Sequence, residues 1–288
     1  MTHALAEPER LGTTTLSDGR RLGWAEWGPP DGAPVLFFGG AAMGRSLGFG
    51  ADVLLRLGVR LIAVERPGLG HSDPDPTRTL DSWPRDVAEL QAALGLAECR
   101  IVGFSQGAPF ALACAAAGLT NKVAIVAGQD VLSDPAFAEI IDPHLKGLLA
   151  SIQGDPAAVE ASFGSTASAE MLWGMISAYS SPVDLAVYTD PGFQPLFQRA
   201  LAEGFAQGGA GYARDLVLSM QPWPFELSEI KARVHLWYGA QDTSTVHSPD
   251  FGATLAQRLP DCRHHVLPDA GGSLLWTHAE LILRALLN

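Results

Sequence analysis

A chain of 288 residues, 47% hydrophobic and 17% charged, carries enough apolar material for a well-packed globule and too little charge for a disordered one. Its 19 basic and 31 acidic residues give a formal charge of −12, which excludes the surplus of Lys and Arg that nucleic acid or an anionic membrane surface demands of a partner. The opening residues MTHALAEPERLG are polar, no run reaches the ~18 apolar residues of a membrane span, and the three cysteines (Cys99, Cys114, Cys262) read as free thiols, so the expectation is a cytoplasmic protein.

Strand and helix signals alternate along the chain, the pattern of a mostly parallel sheet. Thr13–Leu16 and Arg20–Trp27 form a predicted hairpin turning at Asp18-Gly19. Val35–Phe38 and Val59–Glu65 are short apolar strands of the kind buried on both faces. The loop RPGLGHSDPDP follows, then helical spacing from Leu80 to Leu94. Arg100–Gly103, Lys122–Ala127, Arg233–Tyr238 and Arg263–Leu267 are further strands. The tail from Ser273 to Leu287 has apolar residues at three- and four-residue spacing and is predicted as one terminal helix.

Between Ser133 and Phe225 the rhythm changes: helical pieces punctuated by eight prolines, rich in aromatics, with no clear strand. A connection of ~90 residues is long enough to expect a task. The predicted organisation is therefore an α/β core in two parts, 1–132 and 226–288, with a helical lid at 133–225. Most of the lid's aromatics are expected in its own core, with Trp173 and Trp223 among those facing a substrate pocket.

One segment carries chemistry. Gly103-Phe104-Ser105-Gln106-Gly107 follows an apolar strand and opens a helix whose first residues are small. A serine on so sharp a turn needs glycine on both sides, because neighbouring backbone passes too close for a Cβ. On these residues the chain resembles the α/β-hydrolase fold family, from about Thr13 to Leu287, with Ser105 at the nucleophile elbow. Val35–Arg45 (VLFFGGAAMGR) is similar to the family's oxyanion loop, with Gly39 where a histidine is usual. The resemblance implies backbone donors from Gln106 and from Ala41, with Gly40 as the alternative, and a pocket bordered by Gly39 and Phe104. Glu65–Asp73 (ERPGLGHSD) likewise resembles a family signature, with Glu65 in place of Asp.

The resemblance puts the triad acid at Asp242, just past a strand end, with Asp130 as the alternative. It puts the histidine at residue 272, before the final helix, where the sequence reads Gly271-Gly272-Ser273. Loss of the base costs on the order of 10⁶ in kcat, so the gap matters. The substitutes in view are His278, six residues on, and His247, five residues after Asp242 and placed near the pocket mouth; His264, His265 and His235 belong to strands.

The expectation is a serine-dependent hydrolase acting on an ester, thioester or lactone of a small, neutral or hydrophobic molecule, with an atypical or incomplete triad. A non-hydrolytic catalyst (lyase, cyclase or isomerase) and a ligand-binding pseudo-hydrolase are the alternatives. No His/Cys/Asp cluster has metal-ligand spacing and no GxGxxG follows a strand, so neither metal nor cofactor is expected. The expected partner is the small-molecule substrate, with no nucleic acid and no membrane; monomer and homodimer both stay open.

Overall fold

The computed structural model describes residues 5–288. Eight strands form one sheet: β1 (Arg10–Thr15), β2 (Arg21–Trp27), β3 (Ala33–Phe38), β4 (Val59–Val64), β5 (Arg100–Phe104), β6 (Lys122–Val126), β7 (Arg233–Gly239) and β8 (Cys262–Leu267). The order is β1-β2-β4-β3-β5-β6-β7-β8, with β2 antiparallel to both of its neighbours, β1 and β4, and every other pair parallel. The central strands are mostly apolar, with Arg and Lys confined to their opening ends, because helices cover both faces. Side chains alternate across the sheet: Val35, Phe37, Leu61, Val102 and Ala124 join one core, Leu36, Phe38, Ile62, Ile101 and Val123 the other.

The helices of the core are α1 (Ala51–Leu57), α2 (Trp83–Ala93) and α3 (Gly107–Ala116). Helix α1 has no counterpart in the sequence reading. It is seven residues long, bounded by left-handed Gly50 and Gly58, and exposes Leu55, so it lacks an apolar stripe long enough to register. Helix α2 starts at Trp83 and not at Leu80, because Pro84 fits only the first turn, where its missing N–H has no bond to make.

Between β6 and β7 the chain is helical throughout: α4 (Pro143–Gly154), α5 (Pro156–Thr166), α6 (Ala169–Tyr179), α7 (Pro182–Tyr188), α8 (Gln194–Gly204) and α9 (Ala210–Met220), with two short 3₁₀ turns. The prolines here mark beginnings. Asp142-Pro143, Asp155-Pro156 and Ser181-Pro182 each supply a capping side chain and then proline at the first helical position. Phe137, Leu145, Leu149, Ile152, Leu216 and Met220 form a small core within this segment.

After β7 come α10 (Ala253–Arg258), α11 (Leu274–Thr277) and α12 (Ala279–Leu287). The single terminal helix expected from Ser273 to Leu287 is two, broken at His278 (φ −128°, ψ 26°). Its apolar spacing survives the break because both pieces pack on the same face of the sheet. No helix among the described residues is long and apolar enough to cross a membrane.

Candidate active site

Ser105 stands between β5 and α3 with φ +50°, a left-handed conformation that costs a non-glycine residue about 1–2 kcal/mol. Three backbone bonds hold it there. Its N–H donates to Val126 O at 3.1 Å, and its carbonyl accepts from Ala108 N at 3.0 Å and Gln129 N at 3.1 Å. A Cβ at Gly107 would lie 2.1 Å from Phe38 O, and one at Gly103 would lie 2.8 Å from both Ala111 Cβ and Gly107 O. The two glycines of the turn are therefore steric requirements of its packing.

An imidazole from the loop after β7 stands beside Ser105. Asp242 leaves the end of β7 with Oδ1 accepting Ser244 N at 2.9 Å and Oδ2 2.6 Å from His247 Nδ1. The other ring nitrogen, Nε2, lies 2.9 Å from Ser105 Oγ. Beside an ionised carboxylate the tautomer with the proton on Nδ1 is favoured, which leaves Nε2 to accept from the serine hydroxyl. Both side chains are nearly buried, with 5% of Asp242 and 10% of His247 exposed. The sequence reading held His247 as one of the substitute bases, near the pocket mouth; its imidazole lies between the other two groups. The available signal was Asp-x4-His on a single loop directly past a strand end.

The following residue fastens that loop. Ser248 N donates to Gly128 O at 2.9 Å, and Ser248 Oγ lies 3.1 Å from Asp130 Oδ2 and 3.0 Å from Asp250 Oδ1. Asp130, the alternative acid, is fully buried, and its recorded bonds reach Val131 N and Ser248, not His247. Burial raises its pKa to about 6.

Gly272 occupies the cavity wall opposite. A Cβ there would meet the Asp242 carboxylate at 3.0–3.1 Å, so the position does face the acid. The loop has other partners: Gly272 N and Ser273 N donate to Asp184 of α7 at 3.0 and 2.8 Å, and Ser181 Oγ donates to the same carboxylate at 2.9 Å. His278 lies at the break between α11 and α12, 2.8 Å from Thr277 Oγ1, and does not line the cavity. His264 and His265 point to opposite faces of β8, one bonded to Phe251 O and the other stacked on Trp237 at 3.9 Å.

The loop after β3 is shaped from behind by Arg66, which is buried and donates to Gly39 O at 2.7 Å, Gly40 O at 2.9 Å and Asp215 of α9 at 2.6 Å. In a trans peptide the C=O and the next N–H point in opposite directions. Holding Gly40 O therefore turns the Ala41 N–H the other way. The Gly40 N–H is engaged by Met43 Sδ at 3.1 Å, whereas the amides of Ala41 and Gln106 have no protein partner among the described residues.

A cavity of about 260 Å³ opens on Ser105. Gly40, Ala41, Met43 and Phe104 line it from the core, and Leu145, Leu172, Met175, Ile176, Tyr188 and Phe197 from the helical segment. Two expected pocket residues are elsewhere. Trp173 packs edge-on against Phe197 at 5.9 Å, behind the wall, and Trp223 stacks on Phe225 with its indole N–H bonded to Ser219 O. Their size suits them to the packing that holds the wall, which proline-rich sequence alone does not distinguish from the wall itself. Gly39 also lies outside the lining, its carbonyl turned to Arg66. Among the described residues no group of three or more His, Cys, Asp or Glu side chains is arranged to hold a metal ion.

Comparisons with known proteins agree with this fold. A non-heme chloroperoxidase from Streptomyces lividans is 38% identical over 100 residues, which is 34% of this chain and 36% of that protein, so the match spans about a third of the relative's length. Among solved structures, a hydrolase from Pseudomonas aeruginosa superposes with a TM-score of 0.71 at 18% identity, covering 97% of this chain and 99% of that one. An esterase from Exiguobacterium antarcticum does so at 0.66 and 17% identity, covering 96% and 97%. The family model described as alpha/beta hydrolase fold matches residues 33–279. With that span, the strand order and the serine turn after β5, the chain belongs to the α/β-hydrolase fold family.

Proposed function

We propose that the protein is a serine hydrolase of small, neutral or hydrophobic esters, thioesters or lactones, working through Ser105, His247 and Asp242. The observation that carries this reading is the unbroken relay, 2.9 Å from Ser105 Oγ to His247 Nε2 and 2.6 Å from His247 Nδ1 to Asp242 Oδ2. With that relay, the incomplete triad that favoured a non-hydrolytic catalyst or a pseudo-hydrolase loses its main support.

In this reading Ser105 Oγ attacks the substrate carbonyl while His247 Nε2 takes its proton, and Asp242 stabilises the imidazolium that results. The amides of Gln106 and Ala41 receive the oxyanion, each worth roughly 3–4 kcal/mol in the transition state. The leaving group takes the proton from His247; water then attacks the acyl-enzyme with His247 as base. The helical segment acts as a lid whose apolar side chains receive the acyl chain. No Lys or Arg lines the cavity, while Asp142 and Asp184 do, which disfavours anionic substrates.

The test is turnover of p-nitrophenyl butyrate by the purified protein beside Ser105→Ala. Multiple turnovers that disappear in the variant support the reading; equal rates in the two proteins reject it.

A further inference from the structure

The site does not end at the apolar cavity. A second cavity of about 290 Å³ adjoins it, bounded on its own side by Ile140, Thr243, Ser248, Pro249 and Phe251. The two share Asp142, Asp242, Ser244, Thr245 and His247, so the loop that carries the acid and base also forms the threshold between them.

The threshold differs in chemistry from the first cavity. Thr243 Oγ1 is engaged by Tyr179 O at 2.7 Å and Ser248 Oγ by Asp130 at 3.1 Å. The hydroxyls of Ser244 and Thr245 have no partner among the described residues. Asp142 caps α4 through Oδ1, accepting His144 N at 2.8 Å and Leu145 N at 3.3 Å, and its second oxygen has no partner. No Lys or Arg lines either cavity. The carboxylate oxygen without a cation repels carboxylates and phosphates, and the free hydroxyls beside it, each able to donate and to accept, suit a neutral group that does both.

The direction of the reaction aligns with this threshold. His247 Nε2 must reach the leaving-group oxygen as well as Ser105 Oγ, because it hands the serine's proton on. The alcohol portion of an ester therefore departs past His247, where Ser244 and Thr245 stand. We propose that the second cavity and its threshold form an alcohol-side subsite, and that the substrate is a short apolar acyl group esterified to a small hydroxyl-bearing alcohol, a polyol. In the step itself the acyl–oxygen bond breaks, the electron pair stays on the polyol oxygen, and that oxygen takes the proton from His247. Water later supplies the hydroxyl of the released acid. The assignment rests on Ser105 being the nucleophile.

The experiment compares glycerol monobutyrate, ethyl butyrate and choline butyrate as substrates of the full chain, of Ser244→Ala/Thr245→Val and of Ser105→Ala. Two hydrogen bonds at the threshold give an expected preference in kcat/KM of roughly 10- to 100-fold for the glycerol ester over the ethyl ester. In the double variant that ratio collapses towards one. Equal rates on the two esters, a ratio that persists in the double variant, or a preference for the choline ester each overturn the polyol assignment alone. An absence of Ser105-dependent hydrolysis of all three esters overturns the reading of Ser105 and the subsite with it.

Discussion

Two loops at the carboxyl edge of the sheet sit on either side of Asp242 and have divided the work unequally. The loop after β7 carries Asp242 and, five residues later, His247 bonded to both Asp242 and Ser105. The loop after β8, where the family resemblance places the histidine, carries Gly272, and its amides are tied to Asp184 of α7. Both loops reach the same carboxylate: one by an imidazole at 2.6 Å, the other by a glycine whose Cβ, if it had one, would crowd it at 3.0 Å. In the proposed mechanism the base is defined by its place between acid and nucleophile, and either backbone segment lies within reach of that place. The loop without the histidine holds the helical segment against the core.

The largest way to break this comparison is to remove the imidazole. His247→Ala is expected to lower kcat for p-nitrophenyl butyrate by about 10⁶, the loss seen when a triad base is removed. A fall of less than tenfold would mean the β7 loop does not supply the base. Next comes the converse. Gly272→His adds a side chain whose Cβ starts 3.0–3.1 Å from a carboxylate already bonded to His247. Crowding there displaces the acid, so the expected result is a fall in kcat on the order of 10², since small misplacements are that costly. A rise would show that the β8 loop remains the better host.

The anchoring role of the β8 loop is tested by Asp184→Ala, which leaves the N–H groups of Gly272 and Ser273 buried without an acceptor. Each costs about 1–3 kcal/mol, so a loss of roughly 2–6 kcal/mol and a raised KM are expected. Asp184→Asn, which keeps an accepting oxygen, should lose less. Denaturant unfolding and steady-state kinetics read both quantities.

The smallest effect concerns Asp130, behind the β7 loop. Burial raises its folded pKa from the usual carboxylate range to about 6, so the folded state holds this proton more tightly than the unfolded chain. Its contribution therefore favours folding as pH falls through about 6 towards 4, and its cost is present in full above 6. Asp130→Asn removes that cost. The variant is expected to gain about 1–3 kcal/mol on the wild type at pH 8 and to lose the advantage by pH 4. A difference independent of pH would mean the carboxyl does not titrate in this range.

Much of the molecule was legible because it is local. Alternation of apolar strands and helices predicts the parallel sheet, and the strain at Ser105 demands the glycines that announce it. The prolines of Asp142-Pro143 and its relatives read only as interruptions in the sequence, and the structure shows them to be first-turn prolines behind a capping side chain. Trp173 and Trp223 misled because composition tells that a side chain is apolar and not which surface it covers. Helix α1 was too short for its period to show.

The sequence by itself determined the sheet, the strained serine turn with its two glycines, and a carboxylate just past the end of β7. It also determined that residue 272 has no imidazole to offer. Only the tertiary structure decided that His247 lies between Asp242 and Ser105, that Arg66 aims the Ala41 amide, and that Asp184 seizes the vacant loop. The physical reason is range. Strand period and turn strain act over a few neighbouring residues, whereas Ser105 and His247 are separated by 142 positions and meet only when β5 and β7, with β6 between them, bring their ends together.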